Sequence, residues 1–186
     1  MLKSVFKFQN LILCLSLLAY VGIQSRNIQY PGLHYDEVLF VNAAQGGVDD
    51  SFICKRITNV PVLLHFYAGA LKAYLYFPIF TAFDVSPLTI RLPMILLTAA
   101  SIGVLFFAVK AASASAAAWI AFLLFWLSPN LMAHTRMDNG PVAIEFFLRS
   151  VCLLVLFKAY KHNARLNLIA LYCFFCIGIF NNVKFI

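Results

Sequence analysis

Two adjacent carboxylates, Asp36 and Glu37, lie in the segment Gly-Leu-His-Tyr-Asp-Glu-Val-Leu of residues 32–39. The chain of 186 residues contains only seven acidic residues, so two adjacent ones stand out. A carboxylate can accept a proton from an attacking hydroxyl. Carboxylates from different loops can instead hold a divalent cation. The pair is therefore a candidate for acid–base chemistry, or for metal-assisted chemistry together with a carboxylate from another loop.

Polar residues at two further places in the sequence suit the same chemistry. One is Arg91, and the other is the run His134-Thr-Arg136-Met-Asp138. An arginine matches phosphate oxygens with a two-pronged donor and can stabilise a phosphate leaving group. If the elements of the fold bring these groups to the first pair, they predict chemistry on a phosphate-linked substrate.

Composition places these elements in a membrane. Hydrophobic residues make up 63% of the chain and charged residues 11%, whereas soluble domains carry about 25% charged residues. The mean hydropathy is +0.88. The net charge of +7 is then best explained by cytoplasmic loops and anionic membrane lipids. The sequence shows no basic stripe of the kind that a nucleic-acid site needs, so we expect no nucleic-acid partner.

Membrane-spanning helices need about 20 apolar residues. The sequence predicts five of them, in an all-α polytopic bundle formed by one membrane domain. The first, preceded by Lys3 and Lys7, is interpreted as a retained signal anchor rather than a cleaved signal peptide. In the fourth, Glu145 and Arg149 are four residues apart and can pair on one helix face. The predicted spans lie near 8–24, 92–109, 111–133, 139–157 and 166–183.

The charge distribution predicts which loops share a membrane face. Lys3 and Lys7 place the N-terminus in the cytoplasm, and the basic loop between the last two spans belongs on the same side. Residues 26–90 then form one long outer loop, and residues 134–140 form a short one. Residues 61–83 are long enough to cross, but Lys72 near their middle would cost about 2.5 to 3.5 kcal/mol there. We therefore predict an interfacial or re-entrant helix over 61–83, with Lys72 reaching toward the headgroups.

This topology brings the polar groups to one face of the membrane. The carboxylates Asp36 and Glu37 follow the first span, Arg91 precedes the second, and Asp138 follows the third. The predicted site is therefore a water-facing rim at the outer edge of the bundle.

The residues of this rim resemble motifs of the GT-C membrane glycosyltransferases. His34-Tyr-Asp-Glu-Val38 is similar to the His-Phe-Asp-Glu signature of protein O-mannosyltransferases (glycosyltransferase family 39). The runs Tyr67 to Pro78 and Phe83 to Pro93 resemble segments of bacterial relatives, except that Asp84 replaces a usual glycine. Ser128-Pro129 followed by Arg136-Met-Asp138 resembles their second outer loop. Related groups are the aminoarabinose transferases and the RgtA/B/C/D-like enzymes.

The resemblance implies an inverting transfer of one sugar from a polyprenyl-phosphate-sugar donor to an acceptor hydroxyl. The acceptor would be a glycan, a lipid or a protein, on the extracytoplasmic face of a bacterial inner membrane. Asp36 would be the catalytic base or a ligand of a divalent cation, and Glu37 would support it. Asp138 would be the second-loop carboxylate and a second candidate metal ligand. The residues matched to the donor phosphate are Arg91, Arg136, His134 and Lys184.

Enzymes of this group are longer, with further spans and often a soluble C-terminal domain. We therefore interpret the chain as a truncated N-terminal portion, for which activity on its own is an open question. A non-catalytic membrane subunit, or a scaffold that binds polyprenyl lipids, is the alternative. A transporter fragment is disfavoured, because transporters place charged groups near the middle of the membrane and the carboxylates here lie mainly outside the spans.

Overall fold

The computed structural model describes residues 2–46, 54–64, 68–161, 164–182 and 185. These residues form a mostly helical structure with eight helices and a three-stranded sheet. The helices are α1 (Leu2–Ser25), α2 (Tyr35–Gln45), α3 (Leu71–Ala82), α4 (Pro87–Ala112), α5 (Ser115–Trp126), α6 (Pro129–Arg136), α7 (Val142–Lys161) and α8 (Ala164–Asn181). The strands are β1 (Cys54–Ile57), β2 (Val60–Leu64) and β3 (Ala68–Gly69), in the order β1-β2-β3.

Two of these helices are long and apolar enough to cross a membrane. They are residues Phe8–Ser25 of α1 and the whole of α4. Helices α5 and α6 meet the same requirement only when taken together, and they are bent by 53° at their junction. These lengths indicate a membrane protein, with two or three candidate spans among the described residues rather than the five that the sequence predicts.

The remaining long helices differ from these spans in charge and in length. Helix α7 has 20 residues and includes Glu145, Arg149 and Lys158. The apolar part of α8, Arg165–Asn181, is shorter than the helices that qualify as spans. Both nevertheless pack into the bundle, because α7 lies against α4 and α8 lies against α7.

Helix α4 is the central element of the bundle, contacting α1, α5, α6 and α7. Small buried residues along α4, among them Ala99, Ser101 and Gly103, allow neighbouring helices to approach closely. A Cβ added to Gly103 would lie 3.2 Å from a methyl group of Leu17 in α1. The indole nitrogen of Trp126 in α5 donates to the carbonyl of Ser16, at 2.9 Å.

The prediction of one helix over residues 61–83 is wrong in its first half. Residues Val60–Leu64 form β2, which pairs antiparallel with β1 and with β3, and only Leu71–Ala82 is helical. A short apolar run has no periodicity that separates a buried strand from a helix. The 12 residues of α3 extend about 18 Å at 1.5 Å per residue, which is short of the roughly 30 Å hydrocarbon core.

The junction of α5 and α6 also differs from the predicted uninterrupted span over 111–133. Helix α5 ends at Trp126, and α6 begins at Pro129 after Ser128, whose side chain accepts a hydrogen bond from Leu131 N. A proline lacks the backbone N–H that a continuing helix would use but fits the first helical position. The bend directs α6 toward the segment that follows α1, where α6 carries Arg136.

Candidate functional site

The predicted carboxylates lie in the first turn of α2, whose start is fixed by His34. The Nδ1 atom of His34 accepts a hydrogen bond from Asp36 N at 3.4 Å, and Glu37 Oε2 accepts one from His34 N at 2.6 Å. This reciprocal arrangement is a capping box. Negative charge in the first turn of a helix is also favoured by the helix dipole. Histidine is not among the usual capping residues, so sequence reasoning missed its role here.

Adjacent residues of an α-helix point about 100° apart, because one turn takes 3.6 residues. The two carboxylates therefore enter different surroundings. Glu37 is fully buried, whereas Asp36 is half-buried. Glu37 and Asp36 are therefore suited to different chemical roles.

Glu37 forms a two-pronged ion pair with Arg91. The Nε–Oε1 distance is 2.6 Å and the Nη2–Oε2 distance is 2.9 Å, and both side chains are 0% exposed. Arg91 lies one turn into α4, which begins at Pro87 behind the capping side chain of Ser86. Such charge-assisted pairs hold their members in a fixed geometry.

The remaining N–H groups of Arg91 bind the chain between α1 and α2. They donate to the carbonyls of Ile28 (2.6 Å), Pro31 (2.9 Å) and Gly32 (3.0 Å). A guanidinium has five N–H donors, so all of them are satisfied. The predicted contact of Arg91 with a donor phosphate would require at least one of these bonds to open.

A second buried ion pair joins α3 to the turn between α6 and α7. The Nζ atom of Lys72 lies 2.7 Å from Asp138 Oδ1, and the two side chains are 0% and 1% exposed. Lys72 also donates to the carbonyls of Asp138 (3.2 Å) and Gly140 (2.8 Å), and its ammonium lies 4.5 Å from the centre of the Phe40 ring. The expectation that Lys72 reaches the headgroups is wrong, because Asp138 and two carbonyls satisfy its charge inside the protein.

The other oxygen of Asp138 is also occupied. The single hydroxyl proton of Tyr76 is shared between Asp138 Oδ2 and the carbonyl of Ile90, which lies 2.8 Å from the hydroxyl oxygen. Burial raises the pKa of Asp138 to about 6, against the opposing effect of the Lys72 ammonium. Asp138 is therefore held by two side chains and links α3 to α4 and to the turn before α7.

Asp36 faces the same turn but has no comparable partner. A Cβ built on Gly140 would lie 3.4 Å from Asp36 Oδ2. Asp138 and Gly140 both have left-handed backbone conformations, with φ of 45° and 60°, which glycine and aspartate tolerate best. Among the residues that the structure describes, no side chain or backbone group bonds the Asp36 carboxylate. It remains open to an external proton or cation.

The structure brings Asp36, Glu37, Arg91 and Asp138 to one end of the bundle, but Glu37, Arg91 and Asp138 are buried there, so the predicted water-facing rim is wrong for these three residues. Arg136 lies there too, and donates from Nε to Tyr30 O (3.1 Å) and from Nη2 to the carbonyls of Arg26 (3.0 Å) and Asn27 (3.1 Å). Its Nη1 group makes no bond within the described chain.

The other two residues predicted to contact the donor are His134 and Lys184. His134 is half-buried, and its Nδ1 lies 3.1 Å from Asn139 Nδ2. This contact leaves the Nε2 atom of His134 without a bond in the part of the chain that the structure describes. Lys184 lies outside the described residues.

The predicted divalent cation would have to compete with existing bonds. Among the described residues, no group of three or more His, Cys, Asp and Glu side chains is placed to hold a metal ion. Asp138 already binds Lys72 and Tyr76, so a cation shared between Asp36 and Asp138 would lie close to the Lys72 ammonium, which would repel it. The donor set therefore fits a carboxylate acting alone better than a metal centre.

A separate cleft of about 340 Å³ lies at the C-terminal end of α2. Its walls include Arg56 from β1, Tyr74 and Phe77 from α3, residues 43–45 of α2, and Gly46 directly after α2. The cleft begins seven residues beyond Asp36, or about 10 Å along the helix. It is therefore not part of the carboxylate cluster.

No protein-family model, curated protein or solved structure matches this chain. The resemblance to the GT-C enzymes thus rests on the short motifs in the sequence.

Proposed function

We propose that this chain is a GT-C-type membrane glycosyltransferase module that uses Asp36 as the base. It would transfer a sugar from a polyprenyl-phosphate-sugar donor to an acceptor hydroxyl on the extracytoplasmic face. One observation carries the proposal: among the three carboxylates that meet at this end of the bundle, Asp36 alone has no partner within the described chain, while Glu37 and Asp138 are each bound by a buried cation.

The two buried ion pairs, Glu37–Arg91 and Lys72–Asp138, suit roles that differ from those implied by the resemblance. Glu37 and Arg91 fix the first turn of α2 to α4 and to residues 28–32. Lys72 and Asp138 fix the turn that contains Gly140. We assign these four residues to positioning, because their bonds are satisfied within the protein. Active sites need such supported geometry, since small displacements of a catalytic group are costly.

The chemical step is a direct displacement at the anomeric carbon of the donor. The acceptor oxygen forms a bond to that carbon while its proton moves to the Asp36 carboxylate. The bond from the carbon to the phosphate oxygen breaks, and polyprenyl phosphate leaves with the electron pair. An inverted configuration at the sugar follows from attack on the opposite face. General-base assistance of this kind contributes about 10² to 10⁴ in rate.

Two groups at the same end are suited to the phosphate of the donor. The Nη1 group of Arg136 and the Nε2 atom of His134 make no bond within the described chain. A guanidinium binds phosphate oxygens through paired N–H groups, and it stays charged while the leaving group gains negative charge. We retain both residues as donor contacts and place Arg91 behind them.

We propose a bacterial inner-membrane topology of five crossings, with a cytoplasmic N-terminus and the carboxylate site outside. Two contacts support alternating helix directions. Arg91, near the start of α4, contacts the segment after α1, while Lys110, near the end of α4, donates to Gln9 near the start of α1 at 3.3 Å. Helices α1 and α4 are therefore antiparallel. Reporter fusions after residues 60, 87, 112, 137 and 162 test the order, and a cytoplasmic signal at 87 would contradict it.

The function is tested with the full chain in membrane vesicles, supplied with radiolabelled polyprenyl-phosphate hexoses and a crude glycan, lipid or protein acceptor fraction. We expect Asp36→Asn to lower transfer at least 100-fold, because the amide cannot take the proton. Asp84→Asn is the matched control: Asp84 is exposed, and the same chemical change there should leave transfer unaltered. Wild-type transfer by Asp36→Asn would exclude Asp36 as the base.

A polyprenyl-lipid-binding scaffold is the second candidate. The observation that favours it is the satisfaction of Arg91, Glu37, Lys72 and Asp138 within the protein. Of the three carboxylates described at this site, only Asp36 is then left for chemistry. The scaffold predicts that the wild-type chain retains the labelled donor without any transfer. It also predicts that Asp36→Asn leaves donor retention unchanged.

A further inference from the structure

A groove of about 430 Å³ lies at the opposite end of the bundle from the carboxylates, between α4 and α7. Its walls are apolar, formed by Val104, Phe107, Ala111 and Leu154. Two lysines, Lys110 and Lys158, complete the lining. Since α4 is long and apolar enough to cross a membrane, its terminal turn lies near a membrane surface.

The two lysines are placed differently at this groove. Lys110 is half-buried, donates to Gln9 Oε1 at 3.3 Å and lies 5.6 Å from the centre of the Phe106 ring. Lys158 is exposed and has no bond within the described part of the chain. One cation is therefore held against the wall, and the other can move toward a ligand.

The stretches of sequence that form this end of α4 and α7 contain no acidic residue. Residues 92–137 and 146–186 contain no Asp or Glu at all. The nearest acidic residue on α7 is Glu145, which is 13 residues and about 20 Å along the helix from Lys158. Glu145 is itself paired with Arg149 at 2.6 Å. Lys158 is therefore a cation without a partner in the described part of the chain, beside an apolar surface.

We propose that this groove is a binding site for an anionic phospholipid. The headgroup phosphate lies between Lys110 and Lys158, and an acyl chain lies along Val104, Phe107 and Leu154. Charge complementarity selects an anionic headgroup, and the apolar walls select a chain-bearing lipid over free phosphate. Basic pockets between membrane helices have this chemistry. The site is far from Asp36 and does not depend on the proposed sugar transfer.

The test uses the purified full chain, equilibrated with an equimolar mixture of phosphatidylglycerol and phosphatidylcholine that carry the same acyl chains. Retained lipid is counted by native mass spectrometry. We expect phosphatidylglycerol to be retained in preference to phosphatidylcholine. A cation near a membrane surface contributes about 1 kcal/mol, so Lys158→Gln should weaken retention about fivefold. Since Lys158 is exposed, this variant should fold normally.

The control distinguishes a site from general attraction to a basic surface. Arg165 is exposed at the start of α8, near the same end, but is not part of the groove lining. Arg165→Gln should therefore leave retention nearly unchanged. Equal retention of the two lipids, or equal losses in Arg165→Gln and Lys158→Gln, would overturn the proposal. Release of phosphatidylglycerol by millimolar inorganic phosphate would also overturn it, because the acyl chain would then contribute nothing.

Discussion

The two ends of helix α4 carry their charges in opposite ways. Near its start, Arg91 is fully buried and donates five hydrogen bonds to Glu37 and to three carbonyls. Near its end, Lys110 and the exposed Lys158 border an open groove with no acidic residue nearby in the sequence. Burying a charge is costly unless it is paired. The buried cations therefore act as framework, whereas the exposed Lys158 remains available to a ligand.

Two neighbouring residues of α2 show the same contrast between a buried, paired charge and an available one. Glu37 and Asp36 are consecutive, yet Glu37 is fully buried in an ion pair and Asp36 is half-buried without one. A framework carboxylate should matter for stability, whereas a reactive carboxylate should matter for turnover. Variants at these positions can separate the two roles.

The largest effect on stability is expected for Glu37→Gln. It leaves the guanidinium of Arg91 buried without its counter-charge, which typically costs about 3 to 5 kcal/mol. We expect a marked fall in the unfolding midpoint in detergent and a low yield of folded protein. Asp84→Asn, an exposed acid-to-amide change, serves as the control. A midpoint within a degree of wild type would contradict the framework role of the pair.

A smaller loss is expected for Lys72→Met. This change removes the ammonium from Asp138, but Asp138 can respond by binding a proton, since burial already raises its pKa to about 6. In the variant that pKa should rise further, while the unfolded chain keeps a pKa near 3.9. The folded state then binds more protons than the unfolded state, so stability increases as the pH falls.

The measurement for Lys72→Met is therefore the unfolding midpoint at pH 7 and at pH 5. We expect a deficit of about 1 to 3 kcal/mol at pH 7 that narrows at pH 5. Lys158→Met, an exposed lysine-to-methionine change, should show neither effect. A deficit that is constant with pH would argue against Asp138 as the group left without its partner.

Gly140→Ala tests how the turn supports Asp36. The φ of Gly140 is 60°, and an alanine in that conformation costs about 1 to 2 kcal/mol. We expect a modest loss of stability and a larger loss of sugar transfer, because the turn lies against the Asp36 carboxylate. Gly22→Ala is the matched control, with no atom within 4 Å of the added Cβ. If both variants transfer sugar equally well, the turn does not position Asp36.

The sequence could predict the convergence of these groups because it follows from helix direction. Once the apolar segments alternate across the membrane, Asp36, Arg91 and Asp138 must fall at the same end. The pairing of Lys72 with Asp138 could not be predicted, since 66 residues separate them in the chain. A lysine within an apolar segment requires either a partner or access to water. The sequence shows no local partner for Lys72, so it predicted that Lys72 reaches the headgroups.

The strands escaped prediction for a different reason. The run Val60–Leu64 is apolar and continues toward α3, so its composition suits a helix as well as a strand. Its pairing with β1 and β3 depends on contacts that no local pattern encodes. The capping role of His34 was likewise hidden, because it depends on the orientation of the ring.

The smallest effect on the protein itself is expected for Lys158→Gln. An exposed side chain without a bond contributes within about 0.5 kcal/mol to stability, so the unfolding midpoint should match wild type while the retention of phosphatidylglycerol falls. A destabilised variant would show that Lys158 belongs to the framework after all. The contrast between the two ends of α4 would then disappear.

The most direct test of the central claim compares Asp36→Asn with Glu37→Gln, using sugar transfer and the unfolding midpoint on the same samples. We predict that Asp36→Asn has the unfolding midpoint of wild type and loses at least 100-fold in transfer. For Glu37→Gln we predict instead a clearly lower unfolding midpoint. Normal transfer by a stably folded Asp36→Asn protein would contradict the account, as would a fall in its melting temperature equal to that of Glu37→Gln.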